Sequence, residues 1–255
     1  MKHISSNKIL FVSLLIAIVA IVLIEFVFDN TIEPFKGGAK LAEILVNLCL
    51  SFFAAYLFFL VTFLIPKYIE RKQIEEHAAH LINMVLLYVL FIMQDATNMN
   101  ISQKDLKIKH LTEKDFKNAM KNVFMDNGLK NFRLGIDGYN QKVGEAVINS
   151  IEKMKSTIDE LFRYSPYIET ELISSISEAF YNNMNDSWIN RYHFVPAHIG
   201  NQTFVAVRSD VTAYAKHLVE YQHIYKKIED ILLTKYSSTA AAKQYADNIR
   251  SLKKS

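Results

Sequence analysis

Hydrophobic and polar positions divide this chain into stretches of different character. Near the start, residues 9–28 (ILFVSLLIAIVAIVLIEFVF) and 44–65 (ILVNLCLSFFAAYLFFLVTFLI) are almost unbroken apolar runs. A helix of about twenty residues rises about 30 Å, the thickness of a bilayer's hydrocarbon core, so both runs read as transmembrane helices. The first is longer than the roughly 7–15-residue apolar core of a cleaved signal peptide, and no small-x-small site follows it. It is therefore expected to persist as a span. Between the two runs lies DNTIEPFKGGAK, with Pro34 and the Gly37–Gly38 pair. So short a turn predicts an antiparallel hairpin, with Ser51, Ala54 and Ala55 as a strip of small residues for close approach. Pro66 is expected to end the second span, with Lys67, Tyr68, Arg71 and Lys72 as its interfacial anchor.

Beyond Pro66 the pattern changes to mixed and periodic. Leu81–Met93 is apolar except for Asn83, which is too short for a comfortable span and suits the central helix of a bundle. A third membrane or re-entrant segment over residues 78–93 is the alternative. Residues 95–111 read as a loop with a short element. TEKD from Thr112 resembles a capping box, with Phe116, Ala119, Met120, Val123 and Phe124 following at helical spacing. Asn127–Gly128, Gly135 and Gly138 mark breaks. A second amphipathic helix is predicted near 139–163, with Val143, Val147, Ile151, Met154, Ile158, Leu161 and Phe162 as its stripe. Ser165–Pro166 should open a third, carrying Ile168, Leu172, Ile176, Ala179 and Phe180.

The last long pattern runs from Phe204 through Val207, Val211, Tyr214, Leu218, Tyr221, Tyr225, Ile228 and Leu232 in steps of three and four, the period of a helix seam. Tyrosines at Tyr214, Tyr221 and Tyr225 favour the core of an intramolecular bundle over an intermolecular coiled coil. The tail from Tyr236 is expected to fray. The expected fold class is thus all-α: a two-helix transmembrane hairpin (residues 1–66), then a mainly helical, bundle-like soluble domain (residues 67–255).

Charge sets the topology. Lys2 and Lys8 precede the first span and Lys67, Arg71 and Lys72 follow the second, against Lys36 and Lys40 between them. The positive-inside rule then places both termini in the cytoplasm. The net charge is only +3, and basic residues are interspersed with acids, so no nucleic-acid partner is expected. The single cysteine, Cys49, excludes an intrachain disulfide and a cysteine metal cluster.

Candidate chemistry is sparse. Glu25, Asn47 and Ser51 are polar residues within the apolar runs, where such groups mark helix contacts or polar paths. Residues 182–202 (NNMNDSWINRYHFVPAHIGNQ) read as the longest irregular stretch of the second half. Its Trp188, Arg191, His193 and His198 form a candidate recognition loop. The pairs His77/His80 and His193/His198 have no third ligand at readable spacing, so neither a metal nor another cofactor is expected. The sequence holds no P-loop, dinucleotide-binding glycine signature, G-x-S-x-G or HExxH, and no catalytic residue is assigned.

Residues 42–72, AEILVNLCLSFFAAYLFFLVTFLIPKYIERK, resemble a segment of bacterial inner-membrane proteins of unassigned activity. The resemblance rests on Glu43, Asn47, Tyr56, Phe58, Pro66, Arg71 and Lys72, and it implies a bacterial inner-membrane setting. Three functions fit the whole pattern. The first is a non-enzymatic membrane-anchored interaction or sensor protein, in contact with the lipid bilayer and with a protein partner or further copies of itself. The second is an oligomeric membrane-perturbing effector or small channel, of the kind used in antiphage defence. The third is a membrane-surface enzyme lacking a local motif.

Overall fold

The computed structural model describes residues 12, 14–19, 21–24, 38–130, 141–192, 198–199, 202–203 and 211–254. The chain forms two compact units, Met1–Lys72 and Gln73–Ser255. Among the described residues the architecture is helical, apart from a two-residue antiparallel pair, β1 (His198–Ile199) with β2 (Gln202–Thr203).

In the first unit, residues 14–19 and 21–24 are helical. Helix α1 (Gly38–Phe59) passes through a π turn at Leu60–Leu64 into α2 (Ile65–Ala96). Pro66 therefore does not end the second apolar helix, contrary to the expectation from sequence. A proline lacks the N–H for the carbonyl four residues back, and its ring crowds that carbonyl. The widened turn just before it relieves the crowding: the Ile65 N–H reaches back five residues to the Leu60 carbonyl. Thr62 Oγ1 donates to the Phe58 carbonyl at 2.6 Å within the same stretch.

Among the described residues one helix, Lys40–Ala96, is long and apolar enough to cross a membrane, and none of its most apolar eighteen residues is buried. Leu48 is 65% exposed and Phe58 66%, with Leu41, Ile44, Val61 and Phe63 also exposed. Ala42, Val46, Cys49, Phe53, Tyr56 and Leu60 are less exposed, in alternating steps of four and three. Leu14, Ala17, Ile21 and Ile24 repeat the pattern in steps of three and four.

The second unit is built around the other half of α2. From Ala78 to Ala96 the buried residues include Ala78, Ala79, Leu81, Ile82, Val85, Leu86, Val89, Leu90, Ile92 and Met93. Adjacent pairs point in different directions round a helix, so this segment is enclosed on most sides. The chain leaves α2 through Asn98 and Met99, both with left-handed backbone (φ 46° and 60°). It then forms α3 (Gln103–Ile108), α4 (Glu113–Met120) and α5 (Val143–Phe162). Thr112 and Asp115 make a full capping box on α4: Thr112 Oγ1 accepts from the Asp115 N–H, and the Asp115 carboxylate accepts from the Thr112 N–H at 2.8 Å.

Three later segments depart from the sequence pattern. Ser165–Pro166 opens only a 3-10 turn, and α6 (Thr170–Phe180) begins after it. Residues 183–192 form a helix, α7 (Asn183–Tyr192), where an irregular stretch is expected. Asn182 starts it by accepting from the Met184 N–H at 2.9 Å, and Met184 and Trp188, four apart, bury one face. The seam pattern becomes α8 (Ala215–Lys235), entered through a 3-10 turn at Thr212–Tyr214. The tail does not fray but forms α9 (Ala240–Lys254), with Ala242 and Tyr245 buried. Thr239 caps it through the Ala242 N–H, and the Glu76 carboxylate accepts from the Ala240 N–H at 3.0 Å. Helix α8 packs on α4, α6 and α9, while α5 packs on α6 and α7.

Candidate functional site

The residues singled out from sequence fall in very different surroundings. Asn47 and Ser51 lie exposed on α1. Glu25, His193 and Val207 lie outside the described residues. Of the seam, Val211, Tyr214, Leu218, Tyr221, Tyr225, Ile228 and Leu232 are all buried in the core of the second unit. His198 belongs to β1.

Trp188, one of the candidate recognition-loop residues, is fully buried on α7, and its Nε1–H donates to the Gly144 carbonyl at 3.3 Å. Its ring lies 4.9 Å from that of Tyr214, whose hydroxyl donates to the Ser187 carbonyl at 3.1 Å. Arg191 is exposed and sits 5.7 Å from the Tyr214 ring centroid, a cation–π distance. Burial raises the Tyr214 hydroxyl above the ordinary phenol range, and the Arg191 charge opposes that shift. His77 pairs with Glu160 at 3.2 Å and sets its ring edge-on to Tyr164. Among the described residues no group of three or more His, Cys, Asp or Glu could hold a metal ion.

The densest polar chemistry lies where α8, α9 and α3 meet. The Glu229 carboxylate, 12% exposed, accepts from the Tyr245 hydroxyl at 2.7 Å and from Lys226 Nζ at 2.8 Å. The Tyr245 and Tyr225 hydroxyls are hydrogen-bonded to each other, and Lys226 also donates to the Lys107 carbonyl. Lys107 Nζ stands 5.8 Å from the Tyr245 ring centroid. Burial pushes both phenols well above their ordinary range, and the nearby Glu229 carboxylate pushes each the same way. Burial lowers the Lys107 ammonium, partly offset by Glu229 and reinforced by Lys226. Both phenols therefore stay protonated at neutral pH and donate hydrogen bonds. The arrangement latches α9 to α8.

Two further buried amides act in the same way. Gln222 Oε1 accepts from the Leu111 N–H at 2.9 Å, while its Nε2 donates to the Leu106 and Lys109 carbonyls at 3.0 and 2.9 Å. One side chain thus satisfies three backbone groups in the last turn of α3 and the turn after it. Asn185 Nδ2 donates to the Ala179 and Phe180 carbonyls at 3.1 and 3.0 Å, and its Oδ1 accepts from the Tyr221 hydroxyl. Nothing local in the sequence marks Gln222, Asn185 or Glu229 as a polar tie. Tyr245 carries the one usable signal, since Ala242, Tyr245 and Ile249 sit three and four apart.

Fold and clusters together define a helical bundle unit on a chain that has, among the described residues, one helix long and apolar enough to cross a membrane. No protein-family model, curated protein or solved structure matches the chain.

Proposed function

We propose that this is a membrane-anchored, non-enzymatic interaction or sensor protein that displays its helical bundle in the cytoplasm. The observation that carries the reading is the exposure of α1: apolar side chains such as Leu48 and Phe58 face outward over a length that matches a bilayer. Such a surface is stable against lipid and unstable against water. The matching three-and-four patterns of partial burial at Leu14–Ile24 and Ala42–Leu60 support a second span packed against the first as a hairpin. Basic residues outside the two runs support cytoplasmic termini, and the segment resemblance supports a bacterial inner membrane. In the bundle, the buried polar groups described above tie helices to one another, which suits a domain built for display.

The test is crosslinking of the full chain in its native membranes after an alkaline carbonate wash, followed by affinity purification and mass spectrometry. Retention in the washed pellet with a distinct, stoichiometric protein partner is the expected result. Release by carbonate overturns the membrane reading. Turnover of a small molecule that point substitutions in the bundle abolish would replace the non-enzymatic reading with that of a membrane-surface enzyme.

The exposure of Asn47 and Ser51 favours a second reading, an oligomeric effector or channel. Loss of membrane potential on induction separates it from the first.

A further inference from the structure

We infer that one outward face of α1, the strip Lys40–Glu43–Asn47–Ser51–Ala54, is where a second copy of this chain packs within the bilayer. The inference rests on the reading that α1 spans the membrane. Successive members of the strip are three or four residues apart and all are exposed. At 100° per residue the strip is centred roughly 130° round the helix from the less exposed Ala42–Val46–Cys49–Phe53 seam. A first helix packed on that seam leaves the strip uncovered.

Lipid cannot satisfy what the strip presents. Asn47 is exposed and has no hydrogen-bond partner among the described residues, and hydrocarbon offers neither donor nor acceptor to its amide. A carboxamide carries both, so it is complementary to another copy of itself across a two-fold axis. Ser51 and Ala54, next along the strip, are small enough to let two backbones approach. At the end of the span the charges also match their own copies. Lys40 and Glu43, three residues apart on the same strip, place opposite charges across the axis of a parallel pair. Amide, small residues and end charges thus point to one occupant, the same chain.

The test uses the full chain in membranes, with Cys49→Ser removing the native thiol. Ala54→Cys places a thiol on the strip, and Phe52→Cys places one at similar depth on another face. Membranes are washed with alkaline carbonate and oxidised with copper–phenanthroline in air. The expected result is a disulfide-linked dimer from Ala54→Cys and not from Phe52→Cys. Adding Asn47→Leu should shift the monomer–dimer equilibrium about three- to thirty-fold toward monomer, whereas Asn47→Gln should preserve the dimer. Retention in the washed pellet without a dimer, or with a dimer indifferent to Asn47→Leu, overturns the inference and leaves the span reading standing. A crosslink to a different protein overturns it equally. Release by carbonate overturns both.

Discussion

Two stretches of one helical run, residues 44–65 and 78–96, have similar apolar character and opposite fates. In the first, leucines and phenylalanines stand exposed; in the second, nearly every aliphatic side chain is sealed. Neither has a polar face that would orient it in water, so periodicity alone cannot assign either to lipid or to a core. What separates them is what the rest of the chain supplies. The second unit provides amphipathic stripes from α4 to α9 that together enclose Ala78–Ala96, and all these residues belong to one continuous cluster. The 13-residue length of the Leu81–Met93 run is the sequence trace of that difference, since a span needs about twenty.

Substitutions can break this comparison or sharpen it. The largest effect is expected from Val89→Asp, which puts a carboxylate at a fully buried position of the enclosed segment. It should destabilise the bundle by about 4 kcal/mol or more, read as loss of the cooperative thermal transition in circular dichroism of the detergent-solubilised chain. Leu90→Ala should cost about 3 kcal/mol by opening a cavity. Gln222→Leu should cost about 2 kcal/mol, because the Leu111 N–H and the Leu106 and Lys109 carbonyls lose their buried partner. Denaturant midpoints check both.

A smaller, pH-dependent effect comes from the tyrosines. The Tyr225 and Tyr245 phenols ionise less readily in the folded chain than at the ordinary value of 10.0. A group whose folded-state pKa is raised contributes stability that is intact below its unfolded pKa and is lost above it. Stability should therefore hold through neutral pH and fall above about pH 10, by up to about 1.4 kcal/mol per pH unit for each such phenol. Tyr245→Phe should make that decline shallower, which urea titrations at pH 8 and pH 10.5 would show. The smallest effect is expected from Leu48→Ala on the exposed stretch, within about 0.5 kcal/mol on the bundle's denaturant midpoint. A loss as large as that of Leu90→Ala would end the distinction between the two stretches.

Legibility in the sequence followed the same division. Helix stripes with strong periodicity, such as Val143–Phe162 and the Leu218–Leu232 seam, were readable because burial on one face imposes spacing. The capping box at Thr112 was readable because it is local chemistry. Asn183–Tyr192 was not, since it is short, rich in asparagine and, among the described residues, buries only Met184, Asn185 and Trp188, which leaves no periodic signal to compete with its polar composition. Helix α9 was hidden for a similar reason: alanines carry little hydrophobic weight, and Tyr245 meets its partners sixteen and twenty residues earlier in the chain. Gln222 and Asn185 gain their roles only from backbone groups that the fold brings to them. Pro66 carries a break signal that the fold does not obey, because a proline breaks a helix only if the preceding turn stays α-helical, and here it widens.

The capping of α9 by Glu76 joins groups made 164 residues apart in the chain. The ribosome makes the apolar segment ending at Ala96 long before it makes Tyr245, and at about 5–20 residues per second the interval is roughly 7–30 s. Throughout that time a run of aliphatic side chains, starting thirteen residues past the last residue of the second apolar run, has no α8 or α9 to cover it. An uncovered aliphatic run of this kind is prone to aggregation. The Glu76 cap on α9 can form only after Ala240 has been made.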